Sequence, residues 1–356
     1  MRVTLVDPLE AMVHGRKSAA LRIGLVVPHS GVLGLTGPSA LEAALLAAQE
    51  INTARGSRER PVEFVVVDSG GPRASVADTV GLLADGGAVE AYIGLHTSHT
   101  LVGVERALAG RVPYVFAAGF EENRNLPGVY CPGETPSQFA PGLSRVIADR
   151  TVTSWAILGT DYIWPQVMRE VGRETITAAG AEVVLDRLLP QGGVGRLIDG
   201  VLDAVTAADA GGVLLNLPGR DLVTALRAIR GRGLDRRLVR VSGALEENTL
   251  YALGGDRSGN LYASSHSFDT SASPKRAELN DRYRLTFGDA APVLNSWAEH
   301  CYDAVHLLAQ CELRGLLSGD AFGRHVTGRP GSSAEDLLPR YATHLAVAEG
   351  IAFRVL

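Results

Sequence analysis

The run LRIGLVV (Leu21–Val27) is followed by SALEAALLAAQEIN (residues 39–52) and by VEFVVVD (Val62–Asp68), and this succession decides the fold. The first and third stretches are short apolar runs rich in β-branched residues, which is typical of buried strands. The middle stretch places its apolar residues at helical spacing. A strand, a helix and a strand in this order form a βαβ unit, so the sequence predicts a parallel sheet covered by helices.

The same alternation of strand and helix continues along most of the chain. Further strands are predicted at residues 91–95, 112–116, 154–158, 181–188, 212–216, 237–241 and 260–264, with a hairpin around Glu349-Gly350. Helices are predicted at residues 38–53, 74–84, 102–109, 166–179, 196–207, 220–230 and 295–313. A loop-rich stretch from Ala117 to Pro141 separates two groups of βαβ units, and HSFDTSASP (residues 266–274) is expected to be a second crossing. The predicted fold class is therefore α/β, with two Rossmann-like lobes of parallel strands.

These crossings divide the chain into two discontinuous lobes. The first lobe is predicted to contain residues 20–134 and about 264–325, and the second lobe residues 135–263 and about 326–356. Residues 1–19 are predicted to be an N-terminal extension. It has Asp7, Pro8 and Glu10 where a secretory signal peptide would have its apolar run. We therefore expect a cytoplasmic protein without a signal peptide, and no apolar run is long enough for insertion into a membrane.

Composition and charge argue against several classes of function. The 356 residues carry a formal net charge of -5, so the chain lacks the basic field typical of proteins that bind nucleic acid directly. The basic run RGRGLDRRLVR (Arg230–Arg240) is interpreted as a helix end and a turn before a strand. The three cysteines lack metal-ligand spacing, and they cannot form a complete set of disulfides.

The glycine-rich turn PHSGVLGLTG after the first strand does not match a nucleotide-binding loop. Its glycines follow G-x-x-G-x-x-G rather than G-x-G-x-x-G, and Asp68 lies too far along the chain for the acidic residue of that motif. Gly34 and Gly37 are expected to permit a tight strand-to-helix turn. The motifs G-x-S-x-G and H-E-x-x-H and the P-loop are also missing. We predict no cofactor, no metal and no enzymatic activity.

Ligands of open parallel sheets bind at the carboxyl ends of the strands, so polar residues in the strand-to-helix turns are candidate contacts. In IGLHTSHT (residues 93–100), Ser98 could offer its hydroxyl to a carbonyl or carboxylate, or could cap the next helix together with Thr100. His96 and His99 lack a third residue at metal-ligand spacing. This turn therefore predicts either a cradle for a ligand or a simple helix cap.

Aromatic residues mark the turn after the fifth strand. In ILGTDYIWP (residues 157–165), Tyr162 and Trp164 are candidates for the wall of a ligand pocket, and Asp161 is a candidate helix cap. Asn216 ends a later strand, and Glu246 follows the next one. Each of these two residues is a candidate ligand contact or a helix cap.

The motifs VVDSGG, YIGLHTSHT, LGTDYIWP, SFDTSASP and SWAEHCYDAVHLLAQ, in this order, resemble the type I periplasmic-binding-protein superfamily from about Leu21 almost to the end of the chain. The similarity is greatest to its group for branched-chain amino acids, urea and short-chain amides. Within that group the S-H-T and D-Y-I motifs look most like the cytoplasmic amide sensor that negatively regulates bacterial amidase operons. The resemblance implies two lobes, three inter-lobe crossings and a small polar ligand clamped in the cleft. It also implies that Ser98 and Tyr162 contact the ligand, with Trp164 as a second aromatic contact.

The chain departs from the sensor at several positions of the implied site. His96 stands where the sensor has tyrosine, and residues 115–117 replace a polar Tyr-Pro-Thr segment. The resemblance therefore implies that His96, Thr97 and Ala117 line the site of a ligand larger or less polar than acetamide. The segment before the last hairpin is shorter than in the sensor, and this region bears on contacts with a protein partner.

Two functions agree with these features. The first is a cytoplasmic sensor that closes on an amide, urea or an amino-acid-like ligand and acts on a regulatory protein partner to control amidase or related genes. The alternative is the substrate-binding component of an ABC importer for amides, urea or branched-chain amino acids. The resemblance also allows a homodimer.

Overall fold

The computed structural model describes residues 3–15, 18–56, 59–121, 126–271, 273–318, 320–323 and 342–356. Within these ranges the chain forms two compact units, each with its own sheet. Unit 1 contains the described residues of Met1–Gly119, Asn123–Gly133 and Arg282–Arg340, and unit 2 those of Phe120–Glu122, Glu134–Asp281 and Tyr341–Leu356. The predicted α/β class with two lobes of mostly parallel strands is confirmed.

The strands form one sheet in each unit. In unit 1 they are β1 (Leu5–Val6), β2 (Leu21–Val27), β3 (Val62–Asp68), β4 (Ala91–Gly94), β5 (Tyr114–Phe116) and β6 (Val129–Tyr130). In unit 2 they are β7 (Ser154–Thr160), β8 (Glu182–Leu189), β9 (Gly212–Asn216), β10 (Val239–Ser242), β11 (Leu261–Ser265), β12 (His344–Glu349) and β13 (Ala352–Val355). All pairings between these strands are parallel except the two that β12 makes, with β11 and with β13. Strands β12 and β13 form the predicted hairpin.

Helices flank both sheets. Within the described ranges they are α1 (Pro8–His14), α2 (Gly37–Arg55), α3 (Arg73–Asp85), α4 (Ser98–Leu108), α5 (Pro136–Arg150), α6 (Ile163–Ala178), α7 (Val194–Ala207), α8 (Gly219–Gly231), α9 (Glu247–Leu253), α10 (Pro274–Phe287) and α11 (Ser296–Leu313). None of these helices combines the length and the apolar character needed to cross a bilayer.

Helix α5 corrects the prediction of a loop up to Pro141. The helix begins at Pro136, where a missing N–H is tolerated because the first turn has no intrahelical acceptor for it. Thr135 and Gln138 form a capping box at its start, and Pro141 is accommodated inside the helix. Its first seven residues contain two prolines and one glycine, which are typical of loops, so the periodicity of the sequence did not predict this helix.

The boundaries of the units differ from the predicted lobe boundaries at the second crossing. Residues from about 264 onward were assigned to the first lobe, whereas β11 pairs on both sides within the sheet of unit 2, and unit 2 continues to Asp281. Residues 1–19 were predicted to be an extension, but β1 and α1 belong to unit 1, where β1 pairs with β3. The predicted return near residue 326 lies outside the described residues.

The order of the strands reverses once in each parallel sheet. Unit 1 has the order β1-β3-β2-β4-β5-β6, and unit 2 has the order β13-β12-β11-β10-β9-β7-β8. Because parallel crossovers are right-handed, the helices that follow the two strands at a reversal lie on opposite faces of the sheet. The reversal therefore opens a crevice at the carboxyl ends of β2 and β4 in unit 1, and another at those of β7 and β9 in unit 2. We call these the β2–β4 crevice and the β7–β9 crevice.

A buried ion pair connects β10 to the hairpin of unit 2. The side chains of Arg240 and Asp256 are each 1% exposed, and Nη1 lies 2.9 Å from Oδ2. Arg240 also donates to the carbonyl of Asp235 and to the hydroxyl of Ser258. The backbone N–H and C=O of Asp256 both bond to Gly350 at the turn of the hairpin. Loss of the carboxylate would therefore leave a buried cation and loosen this junction.

We expect Asp256→Ala to lower the free energy of unfolding by about 3–5 kcal/mol, because the Arg240 charge stays buried without its partner. The matched control is Asp203→Ala, since Asp203 is 72% exposed and pairs with Arg232 on the surface. Urea unfolding followed by tryptophan fluorescence measures both variants. Equal stability losses in the two would contradict the structural role of the buried pair.

Candidate functional site

Two buried hydroxyls in the β2–β4 crevice have no hydrogen-bond partner among the described residues. Thr36 is the N-cap residue of α2, and Ser98 is the first residue of α4. Thr36 is 0% and Ser98 2% exposed, and neither hydroxyl oxygen is bonded to any atom in the part of the chain that the structure describes. Buried polar groups are nearly always hydrogen-bonded in native proteins, so these two hydroxyls mark a place where a ligand or water is expected to bind.

Helix α4 begins earlier than predicted, and this changes the role of Ser98. The N-cap residue is Thr97, and no side chain caps the first turn, so the alternative that Ser98 and Thr100 cap the helix is wrong. The hydroxyls of Thr97 and Thr100 instead lie 3.2 Å from each other. Ser98 is therefore left with a free hydroxyl at the positive end of an eleven-residue helix, where an oxygen acceptor is favoured.

The loop that carries Thr36 is held by Asp68 at the end of β3. One carboxylate oxygen of Asp68 accepts the backbone N–H groups of His29, Ser30 and Gly70, and the other accepts the Ser30 hydroxyl at 2.7 Å. Burial raises the pKa of Asp68, but the hydrogen bonds from Ser30, Gly70 and His29 outweigh it and lower the pKa overall. Asp68 therefore supports the turn and is already occupied by protein donors.

Gly37 meets the expectation of a tight turn between β2 and α2. A Cβ atom at this position would lie 1.7 Å from the carbonyl oxygen of Pro28, which no side chain tolerates. The close approach brings the start of α2 onto the end of β2. Thr36 is thereby placed at the crevice.

His96 supports the Ser98 turn from inside unit 1. Its Nδ1–H donates to the carbonyl of Thr97 at 3.1 Å, and its Nε2 accepts the hydroxyl of Tyr114. Burial lowers the pKa of His96 to about 4 and outweighs the opposing bond to Thr97, so the ring is neutral near pH 7. Because both ring nitrogens are bonded within the protein, His96 offers no free polar atom to a ligand.

Ala117 follows β5, the neighbour of β4, and its backbone is also fully used. Its N–H donates to the carbonyl of Gly94 at 2.7 Å, and its C=O accepts the Nδ1–H of His300 at 3.0 Å. The side chain is 0% exposed. Ala117 therefore contributes only a methyl group to this edge of the sheet.

Tyr162 and Trp164 lie at the start of α6, directly after β7. Tyr162 is the N-cap residue, and the two side chains are 5% and 9% exposed. Burial and the nearby carboxyl groups of Glu121 and Asp221 raise the pKa of the Tyr162 phenol, which keeps its proton. Asp161 was a candidate cap, but its carboxylate accepts the side-chain amide of Gln166 at 2.8 Å instead.

Asn216 gives the β7–β9 crevice the same signature as the crevice of unit 1. It ends β9 next to Gly159 of β7, is 0% exposed, and neither of its amide atoms is bonded to any described residue. A Cβ on Gly159 would lie 3.5 Å from Cβ of Asn216 and 3.3 Å from Cβ of Pro165, so Asn216 lies beside the start of α6. The hydroxyl of Thr160, 1% exposed, likewise has no partner within the described ranges.

Glu246 is a helix cap, which was one of its two predicted roles. Its carboxylate oxygens accept the backbone N–H groups of Asn248 and Thr249 at 2.8 Å each, and one of them also accepts the Thr249 hydroxyl. These bonds hold the first turn of α9. A ligand contact by Glu246 stays a prediction.

Sequence reasoning did not identify Thr36, Thr160, Glu121 and Asp221. Thr160 lies in ILGTDYIWP, two residues after the predicted end of the strand at residue 158, so a hydroxyl near a strand end was the available signal. Asp221 lies in the helix predicted at residues 220–230, where an acidic residue in the first turn is ordinary. Glu121 lies in a stretch without periodicity, and its burial depends on contacts that the sequence pattern does not reveal.

Each unit has a parallel sheet with a reversal of strand order, and polar atoms without a partner among the described residues lie at both crevices. These features are typical of proteins that bind small molecules. The chain belongs to the periplasmic binding protein family, whose sequence profile matches residues 20–318.

Solved structures of solute-binding and amino-acid-binding proteins have the same fold. The branched-chain amino acid transporter substrate-binding protein LivJ of Streptococcus pneumoniae, in complex with isoleucine, is 20% identical, with a TM-score of 0.78 over 95% of this chain and 99% of that one. A solute-binding protein of an ABC transporter from R. palustris, in complex with benzoate, is 16% identical, with a TM-score of 0.77 and 95% of each chain covered. The leucine-binding protein LivK of Thermotoga maritima is 15% identical, with a TM-score of 0.77 over 95% of this chain and 98% of that one.

We expect Asn216→Leu to leave the free energy of unfolding unchanged or to raise it by about 1 kcal/mol, because it removes two buried polar atoms that have no partner. The matched control is Asn52→Leu, since Asn52 is 2% exposed and exchanges two hydrogen bonds with the backbone of Val62. That control should lose about 2–3 kcal/mol, because it leaves both Val62 groups unpaired. Urea unfolding measures the two variants, and a comparable loss in both would show that Asn216 is structural.

Proposed function

We propose that the chain is the substrate-binding component of an ABC importer for a small polar ligand, an amide, urea or an amino acid. The free hydroxyl of Ser98 is the observation that carries this proposal. It is buried at the N-terminus of α4 and has no partner among the described residues, so it is available to a carbonyl or carboxylate oxygen. The similar proteins from S. pneumoniae and R. palustris were crystallised with isoleucine and benzoate, two molecules that share a carboxylate.

Apolar and aromatic groups set the expected size of the ligand. Ala117 offers a methyl group where the amide sensor has a polar residue, and Tyr162 and Trp164 add two aromatic rings in unit 2. Aromatic side chains provide a large contact area with few rotatable bonds. We therefore expect ligands with a hydrocarbon part, such as branched-chain amino acids, to bind more tightly than acetamide or urea.

A cytoplasmic amide sensor with a regulatory protein partner is the second candidate. The motifs that resemble the sensor carry Ser98 and Tyr162, and both residues lie at crevices where a ligand would bind. A sensor requires that ligand binding shifts the chain between two states that the partner distinguishes. A homodimer would be compatible with either function.

Deletion of the gene in its own organism separates the two functions. The importer proposal predicts that uptake of the radiolabelled ligand falls while transcription of amidase genes is unchanged. The sensor predicts changed transcription with normal uptake. An unaffected uptake rate would contradict the importer.

We expect Ser98→Ala to weaken ligand binding about tenfold to 100-fold, as loss of a buried hydrogen bond to a charged group does. Isothermal titration calorimetry with isoleucine, leucine, benzoate, butyramide, acetamide and urea identifies the ligand and measures the change. The matched control is Ser75→Ala, because Ser75 is an exposed serine on α3 in the same unit. Unchanged affinity in Ser98→Ala would remove Ser98 from the site.

A further inference from the structure

A pocket of unit 2 lies at the end of the sheet opposite to the β7–β9 crevice. It has a volume of about 680 Å³, and its lining includes Arg150, Arg257, Gly259, Tyr262 and Arg354. Gly259 and Tyr262 lie at the start of β11, which runs parallel to the other central strands of its sheet. The pocket is therefore separate from the crevice at the carboxyl ends of β7 and β9. We call it the arginine pocket.

The floor of the arginine pocket is a row of side chains across three strands. Val347 of β12 is paired with Tyr262 of β11 and with Arg354 of β13, and residues paired in this way project from the same face of a sheet. Tyr262 and Val347 are 7% and 4% exposed. The row thus places the guanidinium group of Arg354 beside a closed, largely apolar floor.

The loop that carries Arg257 is fixed by the buried ion pair of Arg240 and Asp256. The carboxylate of Asp256 accepts the N–H and the hydroxyl of Ser258, and its backbone bonds to Gly350 in both directions. Arg257 lies between these anchored residues, and a Cβ on Gly350 would lie 3.7 Å from its Nε. The backbone of Arg257 is therefore held at the hairpin before any ligand binds, which lowers the entropic cost of binding.

Two of the three arginines have no acidic partner. Arg257 is exposed and forms no hydrogen bond or ion pair with any residue in the described ranges. Arg150, at the end of α5, donates through Nη2 to the side-chain oxygen of Asn260, which is an uncharged acceptor. Both guanidinium groups keep their charge at neutral pH. Each is therefore available to an anion from outside the chain.

Positive charge exceeds negative charge in the arginine pocket. Among the described residues that line it, Glu349 is the one acidic side chain, and it is paired with Arg354. Leu356 also lines the pocket, and with its terminal carboxylate counted, the three guanidinium groups still outnumber the two carboxylates. An excess of positive charge in a concave surface attracts anions.

We propose that the arginine pocket binds a phosphate monoester group. Such a group carries about 1.5 to 2 negative charges at pH 7 and has three strong acceptor oxygens, so it can engage more than one guanidinium group. The planar fork of arginine donors matches phosphate oxygens in pairs. The floor formed by Tyr262 and Val347 leaves room for the organic part of the ester, since small-molecule sites combine apolar walls with a few charged groups.

Titration calorimetry with defined probes tests this proposal. The soluble probes are inorganic phosphate, phenyl phosphate and phenylacetate, which resembles phenyl phosphate but carries a carboxylate. Sedimentation with phosphatidylcholine vesicles, with and without phosphatidic acid, tests a lipid headgroup as the source of the phosphate monoester. The variants are Arg257→Gln and Glu349→Gln. Arg196→Gln is the control, because Arg196 is an exposed arginine on α7 that does not line the pocket.

We expect the wild-type chain to bind phenyl phosphate about tenfold tighter than phenylacetate, and Arg257→Gln to weaken phenyl phosphate about tenfold. Glu349→Gln should tighten it about threefold, because the substitution removes a negative charge and frees Arg354. Arg196→Gln should bind as the wild type does. Thermal unfolding verifies that each variant is folded, and Arg257→Gln should keep its stability because Arg257 has no partner among the described residues to lose.

Equal affinity for phenyl phosphate and phenylacetate would overturn the inference. The same holds if Arg257→Gln and Arg196→Gln weaken binding alike, or if the folded wild-type chain binds no soluble phosphate and does not sediment with vesicles. Sedimentation that requires phosphatidic acid and is lost in Arg257→Gln would support the site with a lipid as its ligand. These outcomes leave the importer proposal untouched, because the arginine pocket is separate from the β7–β9 crevice.

Discussion

A polar group that is taken out of water must regain its hydrogen bonds, and this constraint makes the two crevices candidate sites for a ligand. The hydroxyls of Thr36 and Ser98 in unit 1, and the amide of Asn216 in unit 2, are buried without partners among the described residues. Asn52 and Asp68 show the opposite case, because the backbone bonds their side chains. Thr36, Ser98 and Asn216 lie at the two reversals of strand order, although the hydroxyl of Ser264 on β11 is also buried without a partner among the described residues.

The position of these atoms follows from the topology of each sheet. A reversal separates the helices that follow two neighbouring strands, so the backbone leaves a gap at that edge and the residues in the turns line it. A close approach at Gly37 then places Thr36 at its crevice, and Asn216 ends β9 beside Gly159 of β7. The supporting bonds of His96 with Thr97 and Tyr114 keep the Ser98 turn in place without using the Ser98 hydroxyl. Each unit thus has a rigid frame and a small set of unsatisfied groups.

Most of the fold could be predicted from the sequence because central parallel strands are apolar on both faces. The strands Leu21–Val27, Val62–Asp68 and Gly212–Asn216 agree with their predicted bounds for this reason. Helix α5 was missed because its prolines and glycine resemble a loop. Ser98, Tyr162 and Asn216 could be predicted as candidate contacts because they end or follow such strands. Glu121 could not, since no periodic pattern indicates that a residue in an irregular stretch is buried and unpaired.

A crystal structure of the chain with its tightest-binding panel ligand tests the central claim most directly, namely that the unpartnered atoms at the crevices are ligand contacts. The account predicts an oxygen of the ligand about 2.6–3.2 Å from Oγ of Ser98. A ligand bound elsewhere, with Oγ of Ser98 still unbonded, would contradict it.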